Sequence, residues 1–383
     1  MQRQKRAFYI IAHNPNTVEE AAEFLKNGAN ALEPDVVHSD GKFYISHSEL
    51  KTYADCPTVE EYLQQLKQLV IENNYNLALI VFDIKNTDFD INRLLHVIVT
   101  NFSGGFCDGV ALLLTHSDDT DFLIKCDNQY SNVGIGVDET NTPPSEVESI
   151  FRNAGHKNFS YADGITTFLT KPGVYTNIVK AQECRDANEN VSFKLIYTWS
   201  LQREASMRKY LNTYIDGIFV DVPYVKKLKN LVLSSPYDQV FYMARNGHNP
   251  FDAPPIPRYK LVIKTSDKHL AGTDASLLFT LTGTSGISLS SLPYDASLTG
   301  ALERNSTSFV TIEGKDVGEI KTLTVEMLSS DVNSDWLPEK ITVESKLLPK
   351  SVSFIVNGDG LPEQWITKKA GATTLIPLAD VSE

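Results

Sequence analysis

Six side chains at the ends of short apolar runs carry the chemistry this sequence offers. His13 closes the run that begins at Phe8, and Glu33 and Asp35 lie two apart in a second run. His47 follows fourteen residues after Glu33, and Asp83 with Lys85 ends a third run. Side chains two apart in a strand share a face, so Glu33 joins Asp35 and Asp83 joins Lys85. On neighbouring parallel strands, three carboxylates and two imidazoles would then converge on one site. Carboxylates so crowded do not all stay ionised without a cation, and an all-oxygen donor set selects Mg2+ or a similar hard ion. Two histidines flanking a phosphate held there could act as nucleophile or general base and as general acid. Each residue alone has a bland reading as a solvated or hydrogen-bonded strand end; their joint placement favours the metal-phosphodiester reading. His38, His96, His116, His156, His248 and His269 lack such company and read as structural or solvated. Neither Gly-x-Ser-x-Gly nor a Gly-rich loop ending in Lys-Ser/Thr occurs, which sets aside serine hydrolase and P-loop chemistry.

The elements that must position these groups recur from residue 8 to about 233. Eight strand candidates alternate with helical stretches: Phe8 to His13, Ala31 to Val37, Leu77 to Asp83, Gly109 to Thr115, Asn132 to Val137, Phe159 to Asp163, Lys194 to Trp199 and Gly217 to Val222. Thr17 with Glu20, Thr58 with Glu61 and Ser145 with Glu148 give the capping box that opens a helix, and Gly28 closes the first. Val59, Tyr62, Leu63, Leu66, Leu69 and Val70 recur at helical spacing, so the second helix buries one stripe. Eight alternations predict an α/β fold of the (β/α)8 TIM-barrel type, with chemistry at the C-terminal ends of the strands. A doubly wound open sheet is the alternative, but no GxGxxG follows any strand.

The pattern changes at Asn246 to Arg258, where four prolines exclude a helix or central strand. Beyond it, Tyr259 to Lys264, Ser276 to Thr282, Thr307 to Ile312, Ile320 to Leu328, Lys340 to Ser345 and Val352 to Val356 read as short strands separated by Gly, Ser, Asn and Asp. This predicts an all-β sandwich, and hence a barrel domain over 1–251, a linker over 252–257 and a sandwich over 258–383. A chain of 383 residues with 42% apolar content suits two such cores. Its net charge of −13 argues against nucleic acid as a partner and against a strongly anionic membrane, leaving neutral, choline-bearing lipid surfaces open. Cys56, Cys107, Cys126 and Cys184 lack metal-ligand spacing and read mainly as small buried apolar thiols. Sequons at Asn101, Asn158, Asn190 and Asn305 say little about compartment. No spanning segment is present, and the run Phe8 to Ala12 is too short for a signal-peptide core.

His13, the interval Gly28-Ala-Asn-Ala-Leu-Glu-Pro-Asp35, His47 and Val81-Phe-Asp-Ile-Lys85 resemble the sphingomyelinase D / phospholipase D toxin family, itself related to the glycerophosphodiester phosphodiesterases. The likeness continues through Asp163-Gly-Ile-Thr166, Ile196-Tyr-Thr-Trp199 and Asp216-Gly-Ile-Phe-Val220. It ends in Ala244-Arg-Asn-Gly-His-Asn-Pro-Phe251, similar to the family's terminal segment that plugs the far end of the barrel. The resemblance implies Glu33, Asp35 and Asp83 as holders of one Mg2+, His13 and His47 as the catalytic pair, and Lys85 as a phosphate contact. It implies Tyr197 and Trp199 as lining of the headgroup and lipid entrance, with an aromatic face for a quaternary ammonium. The implied reaction releases choline or a similar alcohol from a sphingolipid or lysolipid at a membrane surface, the substrate's own hydroxyl giving a cyclic phosphate. The family resemblance also favours a secreted protein. His13-Asn14 in place of His-Arg-Gly, the short interval to Glu33 and an Asp at position 83 set this chain apart from ordinary glycerophosphodiesterases, which remain the alternative. A catalytically inactive lipid-binding protein is a third reading. Cys56 alone stands for the family's stapled loop, and Gln202 stands where an Asp is expected, so headgroup preference is open. The second domain resembles a PLAT domain through Tyr259-Lys-Leu-Val-Ile-Lys-Thr265, Gly272-Thr-Asp-Ala-Ser276, Leu302-Glu-Arg-Asn-Ser-Thr307, Asp316-Val-Gly-Glu-Ile320 and Trp336-Leu-Pro-Glu-Lys-Ile341. That likeness implies a lipid- or protein-docking module, with Asp267 and Asp274 as weak candidates for Ca2+.

Overall fold

The computed structural model describes residues 4–48, 52–164, 173–187, 191–299, 301–329, 334–357 and 362–378. Thr166 and Asn190, noted above, lie outside them. In chain order the first domain runs β1 (Arg6–His13), α1 (Val18–Asn27), β2 (Ala31–Glu33), β3 (Asp35–Ser39), β4 (Lys42–Ile45), α2 (Val59–Asn73), β5 (Leu79–Ile84), α3 (Ile91–Asn101), β6 (Ala111–His116) and α4 (Thr120–Leu123). It continues with β7 (Val133–Asp138), α5 (Pro144–Asn153), β8 (Phe159–Gly164), α6 (Val174–Ala187), β9 (Leu195–Trp199), α7 (Glu204–Leu211), β10 (Gly217–Val220), α8 (Val222–Val232) and β11 (Phe241–Met243). Parallel pairing passes from β1 through β2, β5, β6, β7, β8 and β9 to β10, and β10 pairs back onto β1. The sheet is therefore a closed eight-stranded TIM barrel.

Closure explains why the strands read as nearly continuous apolar runs, since both faces are buried. Phe8, Ile10, Ile80 and Phe82 pack outward under the helices. Tyr9, Ile11, Leu79, Val81, Leu113, Tyr197 and Phe219 fill the interior. Thr17 and Thr58 each form the complete capping box with Glu20 and Glu61. Gly28 ends α1 at φ 106°, a conformation that favours glycine. The third capping box does not form. Pro143 stands at the N-cap and the helix opens at Pro144, whose fixed φ suits the first turn, so Ser145 is already inside α5. Glu148 is buried instead and accepts a hydrogen bond from the Ser192 hydroxyl.

The barrel floor is closed by the tail. Phe251 is buried in the interior cluster, and its ring passes so close to Gly134 that a Cβ there would lie 2.5 Å from it. Asn246 donates to the Phe106 and Leu77 carbonyls. All four cysteines are free thiols, with Cys107 and Cys126 buried. Among the described residues no helix is long and apolar enough to cross a membrane.

The second domain is an antiparallel sandwich of β12 (Arg258–Thr265), β13 (Ser276–Gly283), β14 (Ser288–Ser290), β15 (Tyr294–Asp295), β16 (Thr307–Glu313), β17 (Ile320–Met327), β18 (Pro338–Glu344), β19 (Val352–Ile355) and β20 (Thr373–Leu375). One sheet has the order β16-β12-β18-β19; the other is β14-β13-β17-β20, with β15 also on β13. Strict alternation of burial along β12 and β13 marks one face turned to the core. Trp336 lies at the centre, its indole N–H donating to the Thr265 hydroxyl at 3.2 Å. Tyr259 donates to Asp316 and accepts from the Val317 N–H, pinning the turn that enters β17.

Three arginines and three carboxylates join the domains. Arg6, at the start of β1, pairs with Asp216 of the barrel and, at 2.8 Å, with Glu313 of the sandwich. Arg258 pairs with Glu313 at 2.5 Å and with Asp186 at 3.1 Å, and Arg185 with Asp216 at 2.6 Å. Burial alone would raise the carboxyl of Glu313, but Arg6 and Arg258 outweigh it and hold it below its ordinary value of 4.5; Arg185 and Arg6 do the same for Asp216. Such groups stabilise the fold above the unfolded-state carboxylate pKa, and that contribution is lost as pH falls through the depressed folded value. Glu313→Gln leaves two buried guanidinium groups short of a counter-charge and should cost about 3 kcal/mol at pH 7. Thermal melts should show the gap between wild type and E313Q narrowing as pH falls below 4.5. A gap that is absent at pH 7 or independent of pH would remove the junction from the account of stability.

Candidate active site

Strand register assembles the site. His13 on β1 is level with Glu33 on β2, and Asp35 on β3 is level with Asp83 on β5. Pro34 breaks the second strand into β2 and β3, yet its carbonyl still accepts from the Asp83 N–H at 3.1 Å, so the two halves hold the same neighbour. Oxygen atoms of Glu33, Asp35 and Asp83 all lie within 4.8 Å of one another, and all three residues are buried. Lys85 bridges Asp35 at 2.6 Å and Asp83.

The crowding has an electrostatic signature. Burial pushes the Glu33 carboxyl well up, and the charges of Asp35 and Asp83 push the same way. Burial also raises Asp83, against the pull of Lys85. For Lys85 burial opposes the charge, but Asp83 and Asp35 outweigh it and the ammonium is held. A divalent cation fits this donor set: three buried carboxylates are within coordinating reach, and one ammonium does not neutralise them.

Each histidine has a carboxylate on its Nδ1. His13 Nδ1 is 3.1 Å from Asp221 Oδ1, and Gln202 donates to the other Asp221 oxygen at 3.3 Å. His47 Nδ1 is 3.1 Å from Asp35 Oδ2. In each ring this engages Nδ1 and leaves Nε2 as the nitrogen not held by that carboxylate. His47 is brought to the mouth by a hairpin: β3 turns at Asp40 and Gly41, both at positive φ, and β4 returns antiparallel until the Ser46 N–H meets the Asp35 carbonyl. The hydrogen bond between His13 and Asp221 is the main influence holding that carboxyl below its ordinary range.

Several members were not singled out in the sequence. Asn14, at φ 53°, turns its N–H onto Glu33 at 2.9 Å. Asn16 clamps Asp35, donating to the carboxylate at 2.6 Å and accepting from its backbone N–H at 2.9 Å. Tyr62 of α2 donates to the Pro15 carbonyl at 2.9 Å, fixing the loop that carries both asparagines. Asp138, one residue past the predicted fifth strand, is a fourth buried carboxyl at this mouth, pushed well up by burial and by Asp83. His116, set aside above, ends β6 within reach of the Asp83 charge, and burial lowers its pKa. For Asp138 the available signal was its place one residue beyond the predicted strand, as the last residue of β7.

Trp199 ends β9 beside Asp138, where its indole N–H acts to lower that carboxyl against the rise that burial causes. It covers Gly164 so closely that a Cβ there would lie 2.4 Å from the indole, which explains the glycine in Asp163-Gly164. Tyr197 lies one layer deeper, fully buried and stacked on Phe219 at 5.3 Å. Asp267, weighed for Ca2+, is paired with Arg304 at 2.9 Å. Among the described residues the metal-suited cluster is that of Glu33, Asp35 and Asp83.

A TIM barrel with carboxylates, two carboxylate-backed histidines and a lysine at its C-terminal mouth defines a phosphodiesterase-type site. The profile of the dermonecrotic toxin SPH family matches residues 3–97 and 119–251, and the chain belongs to that family of phospholipase D-type (sphingomyelinase D) phosphodiesterases. The PLAT/LH2 domain profile matches residues 259–376. A dermonecrotic toxin of Loxosceles arizonica is 25% identical, the alignment covering 64% of this chain and 99% of the toxin. A second, from Sicarius peruensis, is 26% identical over 64% of this chain and 98% of the toxin. Among solved structures, a glycerophosphodiester phosphodiesterase from Parabacteroides distasonis aligns with 60% of this chain and 98% of its own, at 14% identity and a TM-score of 0.43. A coral 8R-lipoxygenase aligns with 31% of this chain and 17% of its own, at 24% identity and a TM-score of 0.27.

Asp221→Asn keeps the size of the side chain and removes the charge that faces His13. Turnover should fall about 100-fold or more with KM little changed, as when a histidine loses the group that sets its tautomer. Steady-state kinetics decide this, and unchanged turnover would take Asp221 out of the site.

Proposed function

We propose that the chain is a Mg2+-dependent phospholipase D of the sphingomyelinase D type, acting on choline-type sphingolipids and lysophospholipids and forming a cyclic phosphate. The observation that supports this most is the flanking of one buried three-carboxylate cluster by two histidines, each with its Nδ1 on a carboxylate. Glu33, Asp35 and Asp83 would hold the ion, which when bound supplies charge stabilisation at the phosphate oxygens.

The protein's part is to orient groups and move protons. One imidazole, through Nε2, accepts the proton of the substrate's own free hydroxyl as that oxygen bonds to phosphorus. The P–O bond to the headgroup breaks, and the other imidazole donates the proton the departing alcohol needs. Atoms balance without water, and the lipid retains a cyclic phosphate. Asp221 and Asp35 keep the two Nε2 atoms aimed, Lys85 adds positive charge beside the phosphate, and the Trp199 face is suited to a quaternary ammonium. Tyr197 supports that wall from below. The PLAT domain would bring the barrel to a lipid surface.

Phosphorus NMR of the protein with sphingomyelin, lysophosphatidylcholine and glycerophosphocholine, with Mg2+ and then with EDTA, tests the reading. A cyclic phosphate resonance from either lipid, lost with EDTA, is expected. His13→Ala and His47→Ala should each abolish it, a loss of at least about 100-fold, with the circular dichroism spectrum unchanged. Turnover of glycerophosphocholine alone would instead assign a glycerophosphodiesterase, and product formation that survives EDTA would end the metal assignment.

A further inference from the structure

A cavity of about 460 Å3 lies at the opposite end of the barrel from the mouth. Its wall is built by the first residues of β1, the last turn of α6, the entry to β9 and the tail that leads into the linker. Two buried hydrogen-bonding groups from different elements line it without a partner among the described residues: Nη2 of Arg185 and the hydroxyl of Tyr9, a residue only 1% exposed. Arg185 spends its other terminal nitrogen on Asp216. Lys194, at the entry to β9, adds a half-buried ammonium that forms no ion pair among the described residues.

The carboxylates of the same wall are already engaged. Asp216 accepts from Arg6, Arg185 and the Ile196 N–H; Asp186 accepts from Arg258, and Asp252 accepts from Asn249. The buried groups left unspent are a guanidinium N–H, which can only donate, and a phenol O–H, which can donate, and a buried donor left unmatched is costly. An acceptor satisfies both. A guanidinium, an ammonium and a phenol approaching from three elements suit a tetrahedral oxyanion better than a planar carboxylate, which presents two oxygens in one plane. A volume of this size takes a small phosphate ester with room to spare.

We propose that this floor cavity binds a small phosphate-bearing anion through Arg185, Tyr9 and Lys194, at a site separate from the catalytic mouth. Because Arg185 also holds Asp216, and Asp216 holds Arg6 at the domain junction, an occupant here completes the polar network on which the sandwich is seated.

Isothermal titration of the full chain in EDTA, with inorganic phosphate and then with glycerol 3-phosphate, tests this. Saturable binding is expected with a Kd of about 1 mM or tighter. Lys194→Met should weaken it about tenfold and Tyr9→Phe several-fold, whereas Lys85→Met, which alters only the mouth, should leave it within twofold. Binding that Lys85→Met removes and Lys194→Met spares would locate the anion at the mouth and overturn the proposal. So would the absence of binding to wild type, the result expected if ordered water alone satisfies these donors. Sedimentation with phosphatidate vesicles separates the sources: uptake by vesicles without binding of either soluble phosphate would also overturn it. Melting curves of each variant show that a loss of binding is not a loss of fold.

Discussion

The mutual repulsion of buried carboxylates is the constraint around which the barrel is arranged. Glu33, Asp35, Asp83 and Asp138 would each be more stable in water, and burial drives Glu33, Asp83 and Asp138 toward their neutral forms. Only a rigid frame keeps such groups together. Here the frame is the hydrogen-bond register of parallel strands, which sets His13 level with Glu33 and Asp35 level with Asp83 whatever the side chains would prefer. The local polar groups then act on what the register has imposed. Asn14 and Asn16 supply N–H donors, and Lys85 bridges two of the acids. A site crowded in this way would gain most from a bound cation, whose charge would offset that of the carboxylates.

The same logic holds at the other end of the barrel with the opposite outcome. Arg6, Arg185 and Arg258 meet Asp216, Glu313 and Asp186 in equal numbers, and pairing depresses the carboxyl groups of Asp216 and Glu313 where burial, with like charge beside it, raises those of Glu33, Asp83 and Asp138 at the mouth. One end of the barrel therefore gathers like charges, and the other pairs opposite charges where the two domains join. Because Arg6 begins the very strand that His13 ends, the seat of the sandwich and the catalytic mouth are joined by a single stretch of eight residues.

Much of this was legible in the sequence because barrels repeat and strands alternate. Eight apolar runs predicted eight barrel strands, and the spacing of two between Glu33 and Asp35 and between Asp83 and Lys85 predicted shared faces. The spacing of three between Thr17 and Glu20 gave a true capping box, but the same spacing at Ser145 and Glu148 failed. There the preceding proline pair moved the helix start upstream, and Glu148 found a tertiary partner in Ser192. Local signals lose wherever a stronger neighbour or a distant contact competes.

What remained hidden shares one property: it depends on how the chain returns. His47 reaches Asp35 because Asp40 and Gly41 reverse a strand, so the fourteen residues after Glu33 are a hairpin rather than a loop of free length. Asp221 meets His13 from 208 residues away, and Glu313 meets Arg6 from 307. Closure of the barrel makes the first of these unavoidable, since β10 must lie beside β1 once eight strands complete the circle. Nothing comparable dictates the second. A carboxylate in a sandwich strand reveals its buried guanidinium partners only when the two domains are seen together.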